Sequence, residues 1–125
     1  MRALIVDDSR AMRLILSRIV VGLGFEVQQA GNGLEALEVL NASEDVPELA
    51  LVDWNMPEMN GLEFIKAVRA EQKWRSMNLM MVTTEAEHGQ IVRALAAGAH
   101  EYVIKPFTAD AIEDKIALLG LYATS

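Results

Sequence analysis

The stretch Leu49-Ala-Leu-Val-Asp53-Trp-Asn55-Met-Pro57-Glu-Met-Asn60-Gly61 decides the fold. Its apolar residues end abruptly on a carboxylate, and Asn, Pro, Asn and Gly follow within a few positions. This reads as a buried parallel strand emptying into a loop. Ligand chemistry in an open α/β sheet gathers at the carboxyl ends of the strands, which makes Asp53 the first candidate for a reactive group.

Working outward, the same pattern recurs. Ala-Leu-Ile-Val within Arg2 to Asp7 ends on Asp7-Asp8, Leu79-Met-Met-Val82 ends on Thr83-Thr84, and Tyr102-Val-Ile104 ends on Lys105-Pro106. Phe25-Glu-Val-Gln-Gln29 instead alternates apolar and polar residues, as an edge strand does. Helical spacing fills the intervals. Ser9 is placed to cap a helix carrying Met12, Ile15, Leu16, Ile19 and Leu23, which Gly22 or Gly24 ends. Asn32-Gly-Leu-Glu35 and Asn60-Gly-Leu-Glu63 are two copies of one capping tetrapeptide, the first ahead of Ala36, Leu37 and Leu40, the second ahead of Ile65 and Val68. Thr84 and Glu87 suit the start of a fourth helix with Ile91, Ala94 and Leu95 that stops at Gly98. Thr108 suits a fifth with Ile112, Ile116 and Leu119, stopping at Gly120.

Strand and helix thus alternate five times, and the central strands lack the polar alternation of a sheet with one wet face. The expected fold is a single α/β domain over residues 1–125, a doubly wound five-stranded parallel sheet with helices on both faces. Right-handed crossovers and the edge-like second strand favour the order 2-1-3-4-5, in which Asp7, Asp8 and Asp53 converge at the switch point between strands one and three.

Composition narrows the chemistry. At 125 residues the chain can bury one core, and its 52% hydrophobic and 23% charged content is that of a globular protein. No apolar run reaches the ~18 residues of a membrane span, and no signal-peptide pattern opens the sequence, so a cytoplasmic protein is expected. Cysteine is absent, which removes disulfides, thiolate metal sites and a Cys nucleophile together. The net charge of −7 disfavours nonspecific nucleic-acid binding and favours a hard cation or a protein partner.

Asp7, Asp8 and Asp53 against Lys105 leave an excess of negative charge that a divalent cation would neutralise, and Mg2+ takes oxygen ligands while bridging to phosphate. With the metal bound, an anion can approach Asp53, whose carboxylate can attack phosphorus to give an aspartyl phosphate. Each residue alone has a plainer use: Asp53 as a turn-former, Asp7-Asp8 as helix caps, Thr83 as a strand residue, Lys105 as a solvated charge. Their joint placement at matching strand ends carries the functional reading. His88 and His100 lack ligand partners at metal spacing and read as surface residues.

The ordered set Ile5-Val-Asp7-Asp8-Ser, Asp53-x-x-Met56-Pro57-x-Met59-x-Gly61, Val82-Thr83 and Lys105-Pro106-Phe107 resembles the response-regulator receiver domains of two-component signalling over nearly the whole chain. Within that family it is most similar to the stand-alone chemotaxis regulators. The resemblance implies that Asp53 accepts phosphate from a histidine kinase and that Asp8, Asp53 and the Asn55 main-chain carbonyl bind Mg2+, with Asp7 acting through water. It also implies that Thr83 and Lys105 hold the phosphoryl oxygens, that Tyr102 is the aromatic switch, and that the Lys105-Pro106 bond is cis. A downstream target would dock on the helix 4, strand 5, helix 5 face, a phosphatase would reset the signal, and the chain would be no enzyme beyond its own phosphorylation and dephosphorylation. The rival within the family is a phosphate sink or relay shuttle without a target. A flavin carrier would need a hydroxyl- and Gly-rich loop after strand one, and an Asp-nucleophile phosphatase a second acid where Asn55 stands. Thr84 departs from the family's small residue and narrows access to the site, and the tail from Leu118 to Ser125 is sparsely charged for the end of a helix.

Overall fold

The computed structural model describes residues 1–84 and 88–121. Five parallel strands, β1 (Arg2–Val6), β2 (Glu26–Ala30), β3 (Leu49–Asp53), β4 (Asn78–Thr84) and β5 (Glu101–Lys105), lie in the order β2-β1-β3-β4-β5. The helices α1 (Arg10–Gly22), α2 (Gly33–Ala42), α3 (Gly61–Ala70), α4 (His88–Ala97) and α5 (Ala109–Leu118) connect them, with a 3-10 turn over Gln72–Trp74. Among the described residues no helix is long and apolar enough to cross a membrane.

The two-residue period of a strand divides the core. Leu4, Val6, Ala50, Val52, Leu79 and Met81 point to one face, where α2, α3 and α4 cover them with Ala36, Leu40, Phe64, Ile65, Val68 and Ala94. Ala3, Ile5, Leu49, Leu51, Met80 and Val82 point to the other, under Leu16 and Val20 of α1 and Ile112 and Ile116 of α5. Every residue of β3 is buried, as expected of a central strand with helices on both sides, whereas β2 at the edge buries only Ala30.

Helix starts follow the cap residues. Ser9, Asn32, Asn60 and Thr108 each accept a hydrogen bond from the backbone N–H three residues on. Only Asn60 completes a reciprocal box, Glu63 reaching back to its N–H at 3.1 Å; at Asn32 the return bond from Glu35 is not formed. The expected cap partner Glu87 and the tail residues 122–125 lie outside the described residues, as does the side chain of His88.

Two corrections concern helix faces. Ile15 faces solvent at 47% exposure, as Leu14 does at 49%, and the helix buries Leu16, Ser17 and Val20 instead. Leu95 of α4 is likewise 40% exposed, while Ile91 and Ala94 are buried.

His100 is exposed, yet its ring is engaged. Nδ1 accepts from the Leu79 N–H at 3.2 Å and lies 3.2 Å from the Arg69 guanidinium. Burial and the neighbouring guanidinium both hold the imidazole below its ordinary pKa. Arg69 donates further to the carbonyls of Gly98, Trp74, Arg75 and Met77, tying the end of α4 to the start of β4. Gly98 sits at φ 124°, and a Cβ there would come 2.7 Å from Arg69 Cγ, so glycine is required both for the turn and for this packing.

Candidate functional site

The site lies at the carboxyl ends of β1, β3, β4 and β5. Asp7 follows β1, its Oδ1 accepting from the Ser9 N–H at 2.8 Å, and the Arg13 guanidinium donates to its main-chain carbonyl at 2.6 Å. Its Oδ2 is buried without a hydrogen-bond partner, with Lys105 Nζ 3.8 Å away. Asp8 is exposed at the mouth of the cleft. Asp53 ends β3 and is 7% exposed, and Lys105 Nζ donates to its Oδ1 at 3.1 Å. Carboxylate oxygens from Asp7, Asp8 and Asp53 all lie within 4.8 Å of one another. Thr83, 2% exposed, pairs in register with Ile104, and Asp53 pairs with Val82.

These groups disturb one another. Desolvation, then the Asp7 charge, push the Asp53 carboxyl up to about 6 against the pull of Lys105. Burial likewise raises Asp7, although the Ser9 N–H and Lys105 pull it down. Three carboxylates thus share a cleft with one ammonium in contact, an arrangement that favours a cation or a proton.

The loop after Asp53 runs from Trp54 to the start of α3 at Gly61. Trp54 packs into the core, its N–H donating to the Val82 carbonyl at 3.1 Å, and the chain then reaches a γ-turn in which the Met59 N–H donates to the Pro57 carbonyl at 2.7 Å. Glu58, the centre of that turn, has φ 70°, a left-handed conformation costly for a residue with a Cβ. Asn55 is exposed on this loop, one residue beyond Trp54. Gly61 closes the loop by donating to the Trp54 carbonyl at 2.9 Å. A Cβ at Gly61 would lie 2.9 Å from the Asp53 carbonyl oxygen and 2.7 Å from Met81 Cε, so α3 starts this close to the site only because that position has no side chain. Gly61→Ala is expected to lower stability by about 1–3 kcal/mol through overpacking. Urea denaturation measures it, and a midpoint equal to wild type would show that the loop relaxes freely.

The structure brings Asp7, Asp8, Asp53 and Lys105 together in one cluster, with Thr83 near the end of the adjoining strand. Tyr102 lies farther down β5, in register with Met81 rather than with Thr83. Lys105-Pro106 is cis, as the resemblance implied. Sequence reasoning missed the Ser9 and Arg13 contacts to Asp7; the first is the bond between an Asp side chain and the backbone N–H two residues on that Asp favours in turns.

Residues 3–117 match the family described as response regulator receiver domain. The chain belongs to that family. Over 117 residues this receiver domain is 46% identical to a chemotaxis protein CheY homolog of Campylobacter jejuni, covering 93% of this chain and 89% of that protein. It is 42% identical over 120 residues to chemotaxis protein CheY1 of Helicobacter pylori, covering 95% and 96%. Chemotaxis protein CheY4 of Vibrio cholerae superposes with a TM-score of 0.85 at 32% identity, covering 94% and 96% of the two chains.

Receiver domains use Mg2+ at the acidic pocket, and the residues here fit that ion. The orphaned Oδ2 of Asp7 and three carboxylate oxygens of hard-ligand type within one cleft are donors of the kind an oxygen-seeking divalent cation takes.

Proposed function

We propose that this chain, as a single receiver domain over 1–125, takes a phosphoryl group from a histidine kinase onto Asp53 in a Mg2+-dependent reaction and switches its α4, β5, α5 surface to bind a target in cytoplasmic chemotaxis signalling. The observation that carries the reading is the convergence of Asp7, Asp8 and Asp53 within 4.8 Å, with Lys105 Nζ at 3.1 Å from Asp53. The likeness to chemotaxis proteins over most of their length supports the pathway.

Asp8, Asp53 and the Asn55 main-chain carbonyl would hold Mg2+, with Asp7 reaching it through water. Asp7 suits that outer place because one of its oxygens is already occupied by the Ser9 N–H, whereas Asp8 is exposed at the cleft mouth. The ion supplies charge neutralisation that lets an anionic phosphoryl group enter. Asp53 is the nucleophile: its carboxylate oxygen bonds to phosphorus as the bond to the donor imidazole nitrogen breaks. Lys105 and Thr83 then bind the phosphoryl oxygens, Lys105 stabilising the charge spread over them in the transition state. The chain would catalyse only its own phosphorylation and dephosphorylation, and a phosphatase would act on the product.

Phosphotransfer tests this directly. The chain mixed with a radiolabelled, autophosphorylated chemotaxis-type histidine kinase is expected to remove the label from the kinase within the mixing time when Mg2+ is present, and to leave it there when the metal is chelated. Retention of the label in both conditions would overturn the reading. Mg2+ alone is expected to change the fluorescence of Trp54, the buried neighbour of Asp53.

The phosphate sink shares all of this chemistry and lacks only a target. Val92 and Leu95 of α4 are exposed on the proposed output face, where a target would meet them.

A further inference from the structure

Tyr102 lies on the edge strand β5, half-buried, and packs from one side against the core beneath α3 and α4. Its other side is covered from an unexpected direction. Lys115 of α5, a helix on the opposite face of the sheet, brings its Nζ to 4.7 Å from the centre of the Tyr102 ring. Because β5 is the last strand, nothing in the sheet stands between the two, and the lysine stem can pass round the free edge.

The ammonium is held there by Glu101. Lys115 Nζ donates to Glu101 Oε1 at 2.9 Å, and the same oxygen accepts from the Tyr102 N–H at 3.1 Å. The pair is partly desolvated, with side-chain exposures of 29% for Lys115 and 18% for Glu101, so it is better held than a pair of open surface charges. One carboxylate oxygen therefore fixes both the backbone that carries the ring and the cation that sits on its face.

We propose that Lys115, anchored by Glu101, is a positioning residue that sets the resting equilibrium of the Tyr102 ring. The inference rests on the reading of Tyr102 as the switch that moves when Asp53 is phosphorylated. Inward movement of the ring carries it away from the sheet edge and breaks the contact with Lys115. The cation thereby opposes the active arrangement before phosphorylation and limits how much of it is populated. A cation over an aromatic ring at a partly exposed site shifts such an equilibrium by about two- to five-fold. Linkage then requires the same factor to appear in the response to a phosphoryl mimic, which selects the active arrangement.

The chain contains two tyrosines, so incorporation of 3-fluorotyrosine gives two fluorine resonances, and Tyr122→Phe assigns that of Tyr102. In the Mg2+-bound wild type, beryllofluoride is expected to move the Tyr102 resonance. Lys115→Met keeps the aliphatic stem and removes the charge. It is expected to move the resonance part of the way in the same direction without the mimic, and to lower the beryllofluoride concentration at half-effect about two- to five-fold. Lys115→Arg, which restores a cation, is expected to return both readings toward wild type, which a loss of packing alone would not explain. If Lys115→Met leaves the resonance and the half-effect concentration unchanged while beryllofluoride moves the wild-type resonance, the positioning role is wrong and the switch reading survives. If beryllofluoride does not move the wild-type Tyr102 resonance, the switch reading falls and this inference falls with it.

Discussion

Asp53→Asn is expected to abolish phosphoryl uptake and, in the same molecule, to make the metal-free protein more stable. The two effects have one cause. The carboxylate that attacks phosphorus is buried beside Asp7, and burial and that neighbouring charge raise it to about 6 from an ordinary value near 3.8. Between those two values the folded protein binds more protons than the unfolded chain, so this group's contribution to stability falls as pH rises through the window. Above it the whole penalty of an ionised Asp53 is present. A shift of this size is worth at most about 3 kcal/mol, and access of water at the cleft mouth leaves an expected gain of about 1–2 kcal/mol for the amide at pH 7.5. The amide oxygen still accepts from Lys105 and gives up only the charge on that 3.1 Å contact, while Lys105 retains Asp7 at 3.8 Å and the cluster loses one of its like charges. Urea denaturation in chelator at pH 7.5 and pH 5 measures both parts. Wild type should gain on the mutant as pH falls from 7.5 to 5. A mutant less stable than wild type at pH 7.5 would show that the Lys105 contact outweighs the repulsion.

Thr83→Ala is expected to leave phosphorylation of Asp53 intact and to remove most of the phosphorylation-dependent gain in target affinity. Thr83, the last residue but one of β4, lies on the face toward α4, two residues beyond Met81, and Met81 pairs in register with Tyr102. A hydroxyl drawn toward phosphoryl oxygens would vacate space beneath α4 on the side where the Tyr102 ring packs. A ligand shifts an equilibrium only by its differential affinity for the two states, so a target that selects the active state binds the phosphorylated form more tightly and is expected to slow loss of the phosphoryl group. Couplings of this kind are commonly 5- to 150-fold, and the alanine variant is expected to fall to within about two-fold of the unphosphorylated affinity. A gain of wild-type size in Thr83→Ala would show that the signal leaves by another route. Equal affinity of wild type with and without phosphate would favour the sink.

What the sequence revealed, and what it concealed, divides along physical lines. Asp7, Asp53 and Lys105 were legible because each ends an apolar run, and a parallel sheet brings such ends together whatever the details of packing. The strand order followed from the one alternating strand, Phe25 to Gln29. The phase of α1 was not legible: Met12, Leu14, Ile15, Leu16, Ile19, Val20 and Val21 cover more than one face of a helix, and burial of Ser17 rather than Ile15 is set by the sheet it lies on. Nor could the sequence show Arg69 binding the Gly98 carbonyl or Lys115 covering Tyr102. Those contacts join residues 29 and 13 positions apart through the tertiary fold, with no local pattern to mark them.

The position of the phosphoryl group tests the central claim most directly. Wild-type protein incubated with acetyl phosphate and Mg2+, digested at low pH and read by mass spectrometry, is expected to carry a single phosphoryl group on Asp53, absent when the metal is chelated. A phosphoryl group on any other residue, or equal labelling with and without Mg2+, would contradict it.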